Sequence, residues 1–576
     1  MLKSLLVILA IILTSGIHSQ VYITNTNLVD VEKMQIIPKQ TIQVQNGKVT
    51  KIETTSKNKV SAGAVFIDGT GNYLIPGLVD AHIHFFQSGG LYARPDVIDL
   101  QKYVALAKEN TWNHEHMEQQ LRRYLANGIT TVVDVGSTIN FLKQRDTFST
   151  KNYAPSIFMT GPLLTTWLPE AYKDLGDDSP FYLMQTEEDA RKYVQQQLPF
   201  HPDLIKIWYI VFSQKAESEA RKRLPLVKAV IDEAHKNHLR VAVHATERIT
   251  AQLAVENGCD YLVHNVDDEV VPPSFVQLLK KNRVVLCPTM VVAFNYTDVF
   301  AQHYHFTNTD YNYADPDALG SLFDLKHLQD TALVNRYKRF GYNLAHADKI
   351  KDSILKINLK KMSDAGVIIA TGTDAGNIGT LHAASYFDEL KRMQESGMNL
   401  WQLLRSSTIN GAKAVGRENE FGSIQPGKLA NLVLLNANPL ENLENWKKIK
   451  LIINKGEVMD PDNIIVSTPE LLVQQQVNGY NGHNLEAFLA PYADDVLFYQ
   501  FPDSLVIKGK AGLRKHYKMI ENLPLLHCEI AERIVQDNTI IEREKVTTGE
   551  KETTESVTYQ IEGNKIKAVY HNKIRN

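Results

Sequence analysis

Cysteine is scarce. Cys259, Cys287 and Cys528 are the three cysteines of a 576-residue chain. So small and odd a set cannot build a disulfide scaffold. Each lies in or beside an apolar strand pattern and reads as a buried, inert thiol, with a single disulfide left open. Charge bias is missing as well. Lys plus Arg number 62 against 65 for Asp plus Glu, a formal net charge of -3, so the basic footprint of a nucleic-acid binder is absent. The apolar run Leu5–Leu13 is nine residues long. A membrane-spanning helix needs about 20, so the run is too short for a span. It follows Lys3 and precedes Thr14, Ser15, Gly16 and Ser19, the pattern of a secretory signal peptide over residues 1–19. A core strand is the alternative. No cysteine follows the run to carry a lipid, so the expectation is an exported chain, periplasmic or secreted, without a stable membrane anchor.

What is present is ordinary globular composition, 44% hydrophobic and 22% charged. The length allows roughly three or four domains. Short β-type runs alternate with polar turns from Val21 to Phe66, including Asn46-Gly47, a strong hairpin signal. The pattern returns in Asn431–Leu435 and Leu451–Val458, so residues 20–75 and 421–466 are expected to form one composite β domain, a small β-sandwich. Between them, residues 76–420 repeat an apolar strand followed by an amphipathic helix. The strands read as Leu78–His82, Ile129–Asp134, Ser156–Thr160, Leu204–Trp208, Arg240–His244, Tyr261–His264, Val284–Cys287 and Val367–Thr371. Eight such units predict an α/β fold, a (β/α)8 TIM barrel, with its chemistry at the C-terminal strand ends. The segment Asn295–Lys349, rich in aromatic residues and histidine, exceeds an ordinary connection and reads as a partly helical lid. Residues 467–576 read as a separate α+β domain.

The strand ends carry the chemistry. His82 and His84 stand two apart at the end of the first strand, so both imidazoles face one side and can reach one metal ion. His-x-His alone is a weak signal. His244 and His264 end later strands, and Asp374 in Thr371-Gly-Thr-Asp374 adds a carboxylate at the same rim. Asp374 also fits a helix N-cap, but a glycine-flanked aspartate there suits a ligand and general base better. Lys206 interrupts the apolar strand Leu204–Trp208. It reads either as a snorkelling lysine or, carbamylated by CO2, as an anionic ligand bridging two metals.

Together, the His-x-His pair, the strand-four lysine, the two single histidines and the Gly-Thr-Asp-Ala-Gly segment resemble the amidohydrolase superfamily, particularly its prolidase-like and imidazolonepropionase-related branch. Ser407-Thr-Ile-Asn-Gly-Ala412 and Gly422-Ser-Ile-Gln-Pro-Gly-Lys-Leu-Ala-Asn431 extend the similarity over roughly residues 21–465. Two positions depart from it: Asn431 stands where the family usually has Asp, and Asn265 where Gly is frequent. The resemblance implies that His82 and His84 bind one metal and His244 and His264 a second. Carbamylated Lys206 and a hydroxide would bridge the two, with Asp374 as ligand and general base. Imidazole and carboxylate ligands suit Zn2+, two per chain, or one if Lys206 is unmodified. The expected reaction is hydrolysis of an amide C–N bond in a small substrate such as a dipeptide or N-acyl amino acid.

Other readings stay open. His244-Ala-Thr-Glu247 matches the pattern by which mononuclear relatives place a glutamate beside a ring nitrogen, which would make the chain a cyclic-amide hydrolase or deaminase. Glu247 also suits the first turn of a helix. Tyr209, Trp167, Arg94 and His382 follow strands closely enough to contact substrate, with Tyr209 suited to a scissile carbonyl and Arg94 to a carboxylate. The segment Gln474–Ile574 resembles the SnoaL-like, NTF2-like cone fold, where His527, Asp494 and Tyr499 are candidates to line a pocket without an evident acid–base pair. A non-catalytic protein presenting that module is the third reading. Six polar residues at the rim argue against it, because each costs stability when buried without a partner. Oligomeric state is left open, a homo-oligomer included.

Overall fold

The flanks of the chain meet in one sheet. In the computed structural model, which describes residues 20–56, 63–212, 216–523 and 525–573, strand Tyr73–Pro76 pairs with Val21–Asp30 on one side and Leu432–Leu435 on the other. This strand stitches early and late segments into a single eight-stranded sheet. Strands from both ends of the chain's first 459 residues, 21–76 and 432–459, thus share one hydrogen-bonded network. The signal peptide expected at residues 1–19 lies outside the described residues. No helix among the described residues is long and apolar enough to cross a membrane. The three cysteines are free and buried.

The central segment forms parallel sheets of three and seven strands. The three-stranded sheet contains Leu78–Ile83, Ile129–Asp134 and Ser156–Met159. The seven-stranded sheet contains Leu204–Trp208, Arg240–His244, Tyr261–Val263, Val285–Cys287 and Ile368–Ile369 in sequence order. The expected third strand is interrupted. Ser156–Met159 pairs backwards with Ile129–Asp134, whereas Leu163–Thr165 pairs forwards with Leu204–Trp208. Pro162 lies between the two pieces and has no N–H to give a ladder. Single backbone bonds link the sheets, from Ala81 N–H to Thr371 O (2.9 Å), Asp374 N–H to His82 O (2.7 Å) and Asp203 N–H to Met159 O (2.9 Å). Strand residues are nearly all buried, because a parallel sheet covered by helices presents no wet face.

The segment 295–349, expected to be a partly helical lid, contains several helices and is called the lid segment. Helix Val292–Ala301 packs on the 34-residue helix Thr331–Asp364. Phe300 joins them through ring contacts with Tyr337 and Phe340, at 5.3 and 5.9 Å between centroids.

The C-terminal unit has a six-stranded sheet and helix Pro469–Asn481. That helix rests on the lid segment, where Asn478 Nδ2 donates to Pro316 O at 2.6 Å and Gln475 Nε2 to Tyr311 O at 3.1 Å. His327 and His527 stack across the same boundary at 3.5 Å.

Candidate active site

Two imidazoles and a carboxylate converge where the first strand meets the 370–377 segment. His82 Nε2 and His84 Nε2 are 3.2 Å apart, and Asp374 Oδ1 lies 3.2 and 3.0 Å from them. Alternation along Leu78–Ile83 explains why the two histidines share a side. His84 Nδ1 is 2.8 Å from the Gly136 carbonyl, which can only accept. The proton therefore belongs on Nδ1, leaving the Nε2 lone pair turned towards the carboxylate. Facing lone pairs and a carboxylate oxygen repel unless a cation or proton lies among them. The donor set fits a divalent metal ion.

The other histidines adjoin this group. His264 lies 5.1 Å from His82 and 4.3 Å from His244, ring to ring. Its Nδ1 is 2.6 Å from Thr289 Oγ1, which fixes the ring's orientation. Burial holds His82 and His244 well below the ordinary imidazole range and lowers His264 to about 4. All three favour the neutral, ligating form. Burial likewise lowers the Lys206 amine to about 7. Burial would raise Asp374, but the surrounding imidazoles outweigh it and hold the carboxyl well below its usual range.

Glycine is required at two contacts. A Cβ on Gly372 would stand 2.7 Å from His82 N, and one on Gly136 would stand 2.8 Å from His84 Cε1. Asp374 itself has φ of 62°, a left-handed conformation that surrounding bonds must hold. Thr373 supplies two, from its N–H and hydroxyl to the Asp80 carboxylate at 3.1 and 2.8 Å. Asn377 supplies another, from Nδ2 to Asp374 O at 3.0 Å.

These groups open on a cavity of about 420 Å3 lined by His84, Lys206, His244, His264 and Asp374. Phe86, Phe181, Trp208, Tyr296, Phe300 and Phe340 give it aromatic walls, the last three from or facing the lid helices. The volume lies within the roughly 300–1,000 Å3 typical of small-molecule sites.

The expected substrate contacts fare unevenly. Arg94 lines the cavity, but its fork is taken by Asp96, with Nε–Oδ1 at 2.8 Å and Nη2–Oδ2 at 2.6 Å, and Nη1 is shared by Tyr296 and Asn377. Tyr209 points away from the cavity, into the layer between its strand and helix Ala216–Lys236, donating to Ala220 O at 2.5 Å. Residues on a strand alternate sides, so Trp208 lines the cavity and its neighbour does not. Trp167 is not in the lining. It packs on Trp208 and Phe212 at 5.5 and 5.0 Å. His382 is buried beneath the site, bonded to Tyr124 OH and Gln87 O at 3.0 and 2.9 Å. Glu247 precedes helix Arg248–Glu256 and accepts from Thr250 Oγ1 at 3.1 Å, outside the cavity lining.

Asp134 and Thr289 were not expected. Asp134 ends its strand behind His84 (Oδ1–Nδ1 3.8 Å), so the strand-end rule applied to every strand would have found it. Thr289 follows the seventh expected strand in Cys287-Pro-Thr289 and carried no comparable signal. In the C-terminal unit, Tyr499 lines a cavity. Asp494 is instead solvent-exposed beside Lys510, because it sits on the outer side of its strand. His527 faces the domain boundary rather than that cavity.

Comparison with known proteins agrees with this geometry. Residues 73–459 match the amidohydrolase family. The chain belongs to the amidohydrolase family. Residues 473–569 of this amidohydrolase match the SnoaL-like domain. A 5-methylthioadenosine/S-adenosylhomocysteine deaminase of Carboxydothermus hydrogenoformans is 28% identical over 180 residues, 27% of this chain and 41% of the relative. Two further deaminases of that name are matched over 30% and 20% of their lengths, so the chain spans less than half of these curated relatives. An imidazolonepropionase of Treponema denticola is 35% identical over 118 residues, 17% of this chain and 27% of the relative. Among solved structures, a Xaa-Pro dipeptidase superposes with TM-score 0.58 at 21% identity, covering 77% of this amidohydrolase and all of its own chain. That likeness is one of fold.

Proposed function

We propose that this amidohydrolase cleaves a carbon–nitrogen bond in a small substrate bearing an apolar or aromatic group, such as a dipeptide or N-acyl amino acid. The observation that carries the reading is the His82–His84–Asp374 group at the wall of an aromatic cavity. We read the two parallel sheets as one (β/α)8 barrel, supported by the backbone bonds between them, and the C-terminal unit as an NTF2-like cone, supported by its six-stranded sheet.

His82, His84 and Asp374 would hold one metal ion, with His244, His264 and a carbamylated Lys206 completing a second position. Divalent ions such as Zn2+ supply a water of lowered pKa and polarise a carbonyl. The chain's own groups do the rest. Asp374, held ionised, takes the proton of the attacking water and passes it to the leaving nitrogen. A Lys206 amine lowered to about 7 is about half neutral near that pH, and the neutral amine is the form that adds CO2. Trp208, Phe181 and Phe300 exclude water and seat the apolar group. Arg94 acts by holding Asn377, and through it the Asp374 backbone, in place.

The test is elemental analysis of the purified chain with turnover of dipeptides, N-acyl amino acids, cyclic imides and adenosine-type amines. Two ions per chain, amide turnover, and loss of both activity and one ion in Lys206→Ala support the reading. One ion, ammonia release and an active Lys206→Ala would instead support the deaminase reading, which rests on the deaminase relatives. Turnover of nothing, with metal-independent ligand binding, would favour the non-catalytic reading. Export is a further proposal, resting on the charged start and the run Leu5–Leu13; the N-terminal mass of the protein recovered outside the cytoplasm tests it.

A further inference from the structure

The C-terminal unit encloses a second cavity, of about 440 Å3, that the proposed reaction does not use. Much of its lining is a connected set of aromatic rings. Phe488 contacts Tyr492 and Tyr517 at 5.4 and 4.7 Å between centroids, and Phe498 lies 5.6 Å from Tyr492 and 6.3 Å from Tyr517. Into this apolar surface the chain places two carboxyl groups, Glu544 and Glu555. They are direct cross-strand partners in the antiparallel pair Thr539–Thr548 and Lys551–Glu562, so their side chains emerge on the same face. Among the described lining residues there is no lysine or arginine; the basic side chains are His516 and His571, the latter 3.2 Å from Glu555.

Like charges directly opposite on neighbouring strands destabilise a sheet, and a carboxylate in an apolar cavity is costly without a cation. Glu544 is 5% exposed, accepts from Tyr559 OH at 2.6 Å, and has Cys528 Sγ at 3.6 Å. Neither partner carries charge to offset its own. Burial, with Glu542 and Glu555 nearby, pushes the Glu544 carboxyl up to about 8. A proton relieves Glu544, while His571 stands beside Glu555. Ring faces attract cations in addition to burying apolar surface.

We propose that this cavity binds a small organic ammonium ion, a protonated amine on an apolar or aromatic body, with the nitrogen at Glu544 and Glu555 and the body against Phe488, Phe498 and Tyr517. The site is separate from the barrel cavity and does not depend on the reaction proposed there.

Calorimetric titration of the full chain with three matched probes tests it: 2-phenylethylamine, 2-phenylethanol and 3-phenylpropionate. The amine should bind at least tenfold more tightly than the alcohol, and the carboxylate more weakly than both. Glu544→Gln and Glu555→Gln should each weaken the amine at least tenfold and leave the alcohol unchanged. Equal affinity for amine and alcohol, no binding of the amine, or unchanged amine affinity in the variants would overturn the proposal. The last result would place the amine elsewhere, in the barrel cavity for instance. If Glu544→Gln melts early, the partly exposed Glu555→Gln decides, with its melting temperature as the folding control.

Discussion

Arg94 and Asp96 form a two-pronged ion pair in the cavity wall, with N–O distances of 2.8 and 2.6 Å. A guanidinium so engaged has little left for a substrate carboxylate. It is a positioning residue, reaching the Asp374 segment through Asn377. Arg94→Ala leaves the buried Asp96 unpaired, a loss of about 3–5 kcal/mol for a broken buried pair. Thermal or urea unfolding should register it, and kcat/KM should fall by the same factor for acidic and neutral substrates. A loss confined to acidic substrates would show instead that Arg94 binds the carboxylate itself.

Gly136 seats His84. Its carbonyl accepts from Nδ1 at 2.8 Å, and a Cβ there would meet the ring at 2.8 Å. Gly136→Ala must push the imidazole off its axis while removing no ligand. Such disturbances behind a metal ligand typically cost about 10–100-fold in affinity. Competition with a chromophoric chelator measures it. An unchanged metal affinity would mean that the ring has room the structure does not show.

Much of the site was legible because its residues obey one simple rule. His82, His84, His244, His264 and Asp374 each lie at or just past the C-terminal end of an expected strand, and an apolar run ending in a polar ligand type is visible without coordinates. Lys206 was visible by contrast with its apolar neighbours. The residues misplaced from sequence fail for equally physical reasons. Tyr209 is one residue past Trp208, and one residue is a whole face of the sheet. Arg94 looked free because the residue that engages it is decided by the fold of a loop without period. The broken third strand was hidden because Gly161-Pro162 reads as the end of a strand, and its continuation at Leu163–Thr165 is three residues long. The Glu544–Glu555 pairing depends on strand register, which a lone sequence specifies only weakly where the strand faces are mixed.

Tyr209 gives the sharpest contrast between the two readings of one residue. Its hydroxyl donates to Ala220 O at 2.5 Å inside the strand–helix layer. Tyr209→Phe removes this bond and nothing in the cavity. Stability should fall by about 1 kcal/mol, the usual net worth of such a bond, while kcat and KM stay within error. A kcat loss of tenfold or more, without a stability change, would restore the role at the scissile carbonyl.

Glu389 makes folding stability depend on pH. It is fully buried on helix Tyr386–Glu395, where Oε2 accepts from Val291 N–H at 3.0 Å and, among the described residues, the Met290 backbone is the other donor facing the carboxyl. Burial pushes its carboxyl from the ordinary 4.5 up to about 8. Between those values the folded chain holds a proton that the unfolded chain has released, so stability falls as pH rises. The contribution is complete below about 4.5, declines through neutrality and is exhausted above about 8. Glu389→Gln keeps the shape and the acceptor oxygen but cannot ionise. Urea unfolding at intervals from pH 5 to 9 should show the variant gaining on the parent as pH rises, with the difference levelling off beyond pH 8. A constant difference across that range would mean that Glu389 is ionised in the fold, held by the Met290 and Val291 N–H groups and by Arg392.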